Sequence, residues 1–320
     1  MTVSVGVPTY NRAYVIREAL ASCLAQTYTD FEVIVVDDGS LDNTSEVVAE
    51  FHDPRIRYIR TEQNHGVAAA RNIFLRNARG ELISFLDSDD LWKPYKLEKE
   101  VAFFKRHPEA GGVFEDLQKH DSGTYVASFQ RETAYFSTML AERSYPHEII
   151  FTQREMYLCL LREVPIKPTA LTVRAEVIRQ TGWFNEGWVA GSDWEFLIRL
   201  SRLCCFGYID EPLAVLRLQS DATHRLHRAE NLSMQLVLYK QELLQLKEDM
   251  DVLDAAKWCY CYLSKHLAWM HLADGHEWQA VKTLARAFRD TGNVEMLARG
   301  LFTCFPPRVR QCIKRLARKA

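Results

Sequence analysis

The sequence predicts an α/β protein in which a mostly parallel sheet, flanked by helices, precedes a helical C-terminal domain. Over the first 116 residues, short apolar strands alternate with segments of helical spacing, and this alternation implies right-handed crossovers between parallel strands. Acidic and polar clusters follow several strands, and from about Arg225 the apolar spacing is helical throughout. We therefore expect one domain at residues 1–224, divided near residue 116, and a second at residues 225–320.

The composition is typical of a soluble globular protein, because 48% of the 320 residues are hydrophobic and 26% are charged. A net charge of −2 gives no indication of nucleic-acid binding. The sequence starts without the basic and apolar regions of an export signal, and no apolar run reaches the roughly 18 residues of a spanning helix. The eight cysteines are interpreted as reduced thiols. We expect a cytoplasmic protein.

The first two strands each end in a polar cluster. Val3-Ser4-Val5-Gly6-Val7 leads into Pro8-Thr9-Tyr10-Asn11-Arg12, and the strand from Phe31 to Val36 leads into Asp37-Asp38-Gly39-Ser40. The spacing predicts a helix between the two strands. Asp42 or Asn43 can cap a second helix that begins near Thr44.

The next two strands repeat this arrangement. The third strand, Ile56 to Ile59, leads into Asn64-His65-Gly66 and a helix that contains Arg71-Asn72. The fourth, Leu82 to Leu86, stops at Asp87-Ser88-Asp89-Asp90, and a further helix and a fifth strand at 112–114 follow. Because the carboxyl ends of parallel strands lie along one edge of a sheet, we expect the clusters after Val7, Val36 and Leu86 to converge there.

Each cluster has more than one interpretation. Asp37 and Asp38 can accept hydrogen bonds from a nucleobase or a ribose, or Asp38-Gly39 is simply a turn. Tyr10 can stack on a base or pack at the rim. Arg71 can reach a diphosphate, or it is a solvated or paired arginine. The carboxylates around Asp89 suit Mg²⁺ or Mn²⁺, or they form an acidic turn that caps the next helix.

In this order and spacing, the four clusters resemble family 2 glycosyltransferases of the GT-A fold, over about residues 1–220. The resemblance implies inverting transfer of a sugar from a nucleotide sugar, usually UDP-linked, to a hydroxyl of a glycan or lipid-linked acceptor. It also implies Mn²⁺ or Mg²⁺ as cofactor. Residues 1–116 would then form the nucleotide-sugar half and residues 117–224 the acceptor half.

The resemblance also assigns roles by position. The nucleobase and ribose would be held by Pro8, Thr9, Tyr10 and Asp38, with Asp37 beside them. The same donor site would include Arg12, Asn64 and Ser88. Arg71 would lie near the diphosphate or donor sugar. Asp89 would ligate the metal, Asp87 would contact ribose, sugar or metal, and Asp90 is an additional candidate contact.

A general base is expected at the start of a helix in the acceptor half, and Gly191-Ser192-Asp193-Trp194-Glu195 matches that segment. Asp193 falls at the position of the base, with Glu195 as the reserve candidate. From the residues alone, Ser192 or Asp193 is equally an N-cap of this helix.

The sequence departs from the family in one motif. Many members end a late strand in Tyr-Arg-x-His, where the histidine is a further metal ligand, whereas this chain has Leu216-Arg217-Leu218-Gln219. His224 and His227 follow and are alternative ligands or structural residues.

The remaining segments carry weaker predictions. Residues 117–165 show little periodicity, which predicts an irregular segment. Their many aromatic residues form either an acceptor surface or ordinary core packing. Gly275 and Gly292 are expected helix breaks. The basic, amphipathic residues 299–320 predict either contact with an anionic membrane surface or a solvated helix.

Two other functions remain open at this point. A sugar nucleotidyltransferase also uses a nucleotide-binding fold with acidic metal ligands, although it normally has a glycine-rich basic loop after the first strand. A non-catalytic protein that binds nucleotide or carbohydrate is the other alternative.

Overall fold

The first four predicted strands are all present in a computed structural model of the chain, as β1 (Val3–Thr9), β2 (Phe31–Asp37), β3 (Ile56–Arg60) and β4 (Leu82–Phe85). The structure describes residues 1–121, 124–126, 128–143, 147–188, 191–217, 228–245, 249–296 and 298. The chain divides into two compact units, Met1–Arg225 and Leu226–Ala320.

The remaining strands are β5 (Leu91–Trp92), β6 (Ala110–Asp121), β7 (Thr124–Val126), β8 (Glu148–Phe151), β9 (Leu171–Arg174) and β10 (Cys205–Arg217). The helices of the first unit are α1 (Ile16–Leu24), α2 (Thr44–Ala49), α3 (Val67–Asn77), α4 (Lys96–Arg106), α5 (Ala134–Ala141), α6 (Gln153–Arg162), α7 (Ala175–Thr181) and α8 (Ser192–Ser201). Two short 3₁₀ turns lie at Gln130–Glu132 and Pro168–Ala170.

The sheet has the strand order β3-β2-β1-β4-β9-β6-β10-β5, with β7 paired to β6 and β8 paired to β10. The pairings among β3, β2, β1 and β4 are parallel, as predicted. Beyond β4 the sheet is mixed, because β9 inserts antiparallel between β4 and β6. The expectation of a mostly parallel sheet therefore holds for the half that carries the first four polar clusters.

The early strands are almost uniformly apolar because they are buried in the core of the first unit. All seven residues of β1 are buried, and α1 covers the sheet with a stripe of buried side chains spaced three or four apart, at Ile16, Ala19, Leu20 and Cys23. Gly6 is required by close packing, since a Cβ there would lie 2.2 Å from the ring of Phe74 on α3. Helix α3 therefore lies directly against β1.

Residues 117–165 differ from the irregular segment predicted for them. The described part contains α5, β8 and α6, and the aromatic side chains of Phe136 and Phe151 are buried in the core. The ring of Phe136 packs against Phe114 and Tyr208 with centroids 5.5 and 5.3 Å away. Core packing therefore accounts for these two aromatics.

The second unit contains three helices among its described residues, α9 (Arg228–Gln245), α10 (Met250–Ala273) and α11 (Glu277–Thr291). Gly275 lies between α10 and α11 with φ +77°, and Gly292 ends α11 with φ +72°, so both predicted breaks are confirmed. No helix within the described ranges is both long and apolar enough to cross a membrane.

A buried charge cluster lies beneath the sheet, on α4 and β6. Lys96 Nζ lies 2.7 Å from Glu100 Oε1 and 3.3 Å from Glu115 Oε1, and all three side chains are essentially inaccessible to solvent. Burial, reinforced by the neighbouring Glu100, raises the pKa of Glu115 well above its ordinary value, although Lys96 opposes the shift. The folded protein therefore holds a proton on Glu115 that the unfolded chain releases at lower pH.

This cluster predicts a dependence of stability on pH. Because the folded pKa of Glu115 is raised, its contribution to stability is complete below the unfolded pKa and is lost as pH rises through the folded pKa. Glu115→Gln cannot ionise, so we expect its stability relative to wild type to rise with pH above the unfolded pKa, by at most about 1.4 kcal/mol per pH unit, measured by urea unfolding. The exposed Glu211→Gln serves as control, and parallel pH profiles for wild type and Glu115→Gln would contradict the assignment.

Candidate active site

The loops after β1 and β2 are joined by hydrogen bonds. Asp38 N donates to Thr9 O at 2.9 Å, Asn11 N donates to Ser40 Oγ at 2.9 Å, and Leu41 N donates to Asn11 Oδ1 at 2.7 Å. Asn11 has φ +52°, a left-handed conformation that asparagine tolerates better than most residues. The first two polar clusters thus form one rigid rim at the carboxyl edge of the sheet.

The first cluster is only partly exposed. Pro8 and Thr9 are buried, whereas the Tyr10 side chain is accessible, with 39% of the residue exposed. Among the described residues, Thr9 Oγ1 is buried without a hydrogen-bond partner. Arg12 reaches across the edge, with Nη2 3.8 Å from Asp89 Oδ2. The first cluster therefore borders the acidic turn, and Tyr10 offers a ring face to a ligand.

Asp37 is fully buried and already hydrogen-bonded on both oxygens. Ser40 N donates to its Oδ1 at 2.8 Å, and the Tyr58 hydroxyl donates to its Oδ2. Burial and this bond to Asp37 raise the pKa of Tyr58. Asp37 therefore anchors the turn after β2 and has limited capacity for a ligand.

Asp38 holds the loop that leads into α3. Its Oδ2 accepts hydrogen bonds from His65 N at 2.9 Å and Gly66 N at 2.7 Å, and its Oδ1 accepts one from Thr61 Oγ1 at 3.1 Å. Asn64 is exposed in the same loop, and its Oδ1 accepts a bond from Gly66 N at 3.0 Å. The second and third clusters are therefore fixed to each other through a buried carboxylate.

Arg71 connects α3 with the acidic turn. The side chain is buried, Nη2 donates to Asp87 Oδ1 at 2.8 Å, and the guanidinium carbon lies 5.5 Å from the centroid of Phe184. Its Nε is buried without a hydrogen-bond partner among the described residues. This donor is available for a group bound beside Asp87.

Asn72 has a structural role that the sequence did not reveal. Its Nδ2 donates to Phe184 O at 3.0 Å and to Glu186 Oε1 at 2.7 Å, and its Oδ1 accepts from Phe184 N at 2.8 Å. The only sequence signal was a polar residue beside Arg71 in an otherwise apolar part of α3. Asn72 ties α3 to the loop that leads toward α8.

In the acidic turn, the four residues differ in accessibility. The side chains of Asp87 and Asp89 are 30% and 22% exposed, whereas Ser88 and Asp90 are buried. Asp90 Oδ1 accepts a hydrogen bond from Arg217 N at 2.9 Å, and the Arg217 side chain donates to the carbonyl of Asp89. Asp90 therefore fixes the end of β10, which suits a structural role better than a metal contact.

The turn concentrates negative charge. Burial and the neighbouring Asp87 raise the pKa of Asp89, while Arg12 and Arg217 act in the opposite direction. Burial and the other two carboxylates raise the pKa of Asp90 well above its ordinary value. A cation bound here would relieve this repulsion.

Asp193 does not cap its helix. The N-cap of α8 is Gly191, in the left-handed conformation at φ +79°, and no side chain caps the helix. Asp193 is partly exposed in the first turn, and within the described residues its carboxylate has no hydrogen bond or ion pair. The alternative interpretation of Ser192 or Asp193 as an N-cap is therefore wrong, because both residues lie inside the helix and Gly191 occupies the cap position.

The carboxylate of Glu195, the reserve candidate for the base, is already paired with Arg199. Its two oxygens accept hydrogen bonds from Arg199 Nε at 2.6 Å and Nη2 at 2.9 Å. Helix α8 is held in place by Trp194 Nε1, which donates to Leu160 O at 2.8 Å, and by the stack of Phe196 on Phe184. Asp193 therefore lies on a fixed helix, and its carboxylate has no hydrogen bond or ion pair with the residues that the structure describes.

The acidic turn has the chemistry of a Mg²⁺ or Mn²⁺ site, with the oxygens of Asp87 and Asp89 accessible. The described residues contain no group of three or more His, Cys, Asp or Glu side chains that could hold a metal alone. Two carboxylates fit a cation that also binds substrate phosphates. Gln219, His224, His227 and residues 299–320 lie outside the described residues, so the predictions for them stay predictions.

Comparisons with known proteins identify the family that the chain resembles. The model named Glycosyl transferase family 2 matches residues 4–159. An Escherichia coli protein, UDP-Glc:alpha-D-GlcNAc-diphosphoundecaprenol beta-1,3-glucosyltransferase WfgD, is 43% identical over 105 residues, which cover 33% of this chain and 42% of that protein. The chain thus spans less than half the length of this relative.

Solved structures confirm the predicted GT-A fold. TarS from S. aureus in complex with UDP-GlcNAc aligns with a TM-score of 0.66 at 20% identity, over 91% of this chain and 82% of that chain. Mannosyltransferase PcManGT from Pyrobaculum calidifontis, in complex with GDP-Man and Mn²⁺, aligns with a TM-score of 0.58 at 21% identity, over 97% and 82%. At these identities the likeness concerns the fold.

Proposed function

Because the chain belongs to glycosyl transferase family 2 through residues 4–159, we propose that it is an inverting glycosyltransferase. It takes a sugar from a nucleotide diphosphate sugar, for which we propose a UDP-linked donor, and transfers it to a hydroxyl. The acceptor is a glycan or a lipid-linked sugar. The name of WfgD specifies a diphosphoundecaprenol-linked acceptor for that protein, and this supports the lipid-linked class here.

The observation that carries this proposal is the link between the two halves of the site. Arg71 on α3 binds Asp87 of the acidic turn, and the adjacent Asn72 binds the backbone of Phe184 in the loop toward α8. One helix therefore fixes the acidic turn relative to the helix of Asp193. Transfer needs this arrangement, because the donor sugar and the attacking hydroxyl must be held at a fixed separation.

We assign the donor to the rim formed by the first three clusters. Tyr10 stacks on the base, Pro8 and Thr9 line the floor, and Arg12, Asn64, Arg71 and Ser88 border the ribose and diphosphate. Asp37 and Asp38 act on the donor chiefly through the loops that they hold, since their oxygens already accept hydrogen bonds from the protein. This distribution gives a preformed site for a nucleotide.

Asp89, with Asp87, would hold the divalent cation. The raised pKa of Asp89 and the two-carboxylate donor set support this assignment. When bound, Mg²⁺ or Mn²⁺ supplies charge neutralisation at the diphosphate. The guanidinium of Arg71 adds a second positive charge beside Asp87.

Asp193 would act as the general base. Its carboxylate accepts the proton of the acceptor hydroxyl while that oxygen forms a bond to the anomeric carbon. The bond from this carbon to the diphosphate breaks on the opposite side of the sugar, so the configuration is inverted. Asp193 has no ion pair within the described part of the chain, whereas Glu195 is paired with Arg199, and this contrast supports the choice.

Incubation with UDP-glucose, UDP-GlcNAc, UDP-galactose or GDP-mannose, together with Mn²⁺ and a polyprenyl-diphosphate-linked sugar as acceptor, tests the reaction. We expect release of a nucleoside diphosphate from one donor, and NMR of the product to give the inverted configuration at the anomeric carbon. Retention of configuration would contradict the proposed mechanism. Nucleotide binding without any release would favour the non-catalytic alternative, and synthesis of a nucleotide sugar from a nucleoside triphosphate would favour the nucleotidyltransferase.

We also propose, on the basic sequence of residues 299–320, that the protein contacts an anionic membrane peripherally from the cytoplasmic side. A lipid-linked acceptor would be reached from such a position.

A further inference from the structure

The sheet register brings Lys167 to the edge that carries the acidic turn. Strand β9 runs antiparallel to β4, with Thr172 opposite Ser84. Asp87 lies three residues after Ser84, just past the end of β4, and Thr169 lies three residues before Thr172. The segment that enters β9 therefore runs beside the carboxyl end of β4, although it lies 80 residues away in sequence.

This segment is held firmly at both ends. Trp92 Nε1, just after the acidic turn, donates to Thr169 O at 2.8 Å. Gln130 Nε2 donates to Pro165 O at 3.0 Å. Lys167 lies between these anchors, so its backbone is fixed relative to the site.

Among the described residues, the Lys167 side chain has no ion-pair partner. Its Nζ lies 5.2 Å from the centroid of the Phe129 ring. Across the described residues, no carboxylate oxygen lies within 4.0 Å of this nitrogen, the longest distance for an ion pair. The carboxylates of Asp193, Asp87 and Asp90 are nevertheless close enough to oppose the lowering of the Lys167 pKa. Lys167 therefore lies among the carboxylates of both halves of the site.

Lys119 provides a direct comparison. Its Nζ lies 5.7 Å from the centroid of the same Phe129 ring, but it is paired with Glu132 at 2.6 Å. Burial lowers the pKa of Lys167, with Lys119 adding to the effect and the three carboxylates opposing it. A partly desolvated ammonium of this kind binds a phosphate oxyanion strongly, because little further desolvation is required.

We propose that the Lys167 ammonium binds the β-phosphate of the donor diphosphate, a contact that rests on the proposed function. As the bond between the anomeric carbon and the β-phosphate oxygen breaks, its electron pair moves to that oxygen, and the ammonium stabilises the added charge. The acceptor oxygen forms the new bond to the carbon and passes its proton to Asp193. Lys167 thus places a positive charge beside the leaving group.

Calorimetric titration with UDP and UMP, in the presence of Mn²⁺, tests this contact. Lys167→Met keeps the aliphatic stem over Phe129 and removes the charge. We expect it to weaken UDP binding by about 10-fold or more and to change UMP binding by less than about twofold, since UMP lacks the β-phosphate. Lys119→Met, the matched control, should bind both nucleotides as wild type does, and Lys167→Arg should retain most of the UDP affinity.

The outcomes separate this inference from the proposed function. If the wild-type protein binds none of UDP, GDP and dTDP, the proposed function fails. If wild type binds UDP and Lys167→Met binds it equally well, only the role of Lys167 is overturned. The role is also overturned if UMP binding falls as much as UDP binding, or if Lys167→Arg loses as much affinity as Lys167→Met. If GDP or dTDP is the nucleotide that binds, the same comparison uses that diphosphate and its monophosphate.

Discussion

Asp193→Asn is expected to lower the rate of sugar transfer by about 10²- to 10⁴-fold, the range that general base catalysis contributes. The amide has nearly the same shape as the carboxylate but cannot take the proton of the acceptor hydroxyl. Because Asp193 does not contact the acidic turn in the proposed site, donor binding should be retained. Measurement of kcat and of nucleotide affinity for wild type and variant separates these two effects.

Glu195→Gln is the matched control for this experiment, since it removes an acid two residues away on the same helix. Its carboxylate is paired with Arg199, so we expect at most a modest loss of stability and a retained kcat. A normal rate in Asp193→Asn together with a large loss in Glu195→Gln would move the base to Glu195. A normal rate in both variants would place the base elsewhere.

Asp89→Asn is expected to weaken metal-supported nucleotide binding by about 10-fold or more, because it removes one of the two accessible carboxylates of the acidic turn. The residual affinity measured in EDTA should change little. Titration of the nucleotide at several Mn²⁺ concentrations gives both quantities.

Asp90→Asn provides the comparison within the same turn. Asp90 is 1% exposed and accepts a hydrogen bond from Arg217 N, and asparagine retains an acceptor at that position. We expect nucleotide affinity and its dependence on Mn²⁺ to be unchanged. Equal losses in the two variants would show that the turn acts through its fold rather than through Asp89.

The sequence predicts the early strands well, because β1 and β2 are apolar runs buried on both faces and the polar clusters stop them sharply. Residues 117–165 were predicted poorly, since their helices and strands are short and their aromatics are buried irregularly. One signal was present there: Thr152 and Glu155 form a capping box at the start of α6. The Thr-x-x-Glu pattern is visible in the sequence.

The same distinction applies to the candidate site. Parallel strand direction places the polar clusters at one edge of the sheet, but the pairing of Arg71 with Asp87 at 2.8 Å is visible only in the structure. The position of Lys167 depends on β9 entering the sheet antiparallel beside β4, which no local pattern specifies. The commitment of Asp37 and Asp38 to loop hydrogen bonds likewise depends on β3 and α3 being in place.

Calorimetric titration of UDP, GDP and dTDP into the wild-type protein, first with Mn²⁺ and then with EDTA, tests the central claim most directly. The proposed site predicts that one nucleotide binds, that EDTA weakens its binding, and that the effect of the metal is lost in Asp89→Asn. Binding of no nucleotide under either condition would contradict the assignment of the strand-end clusters to a donor site, and the acids would then be turns and loop anchors only.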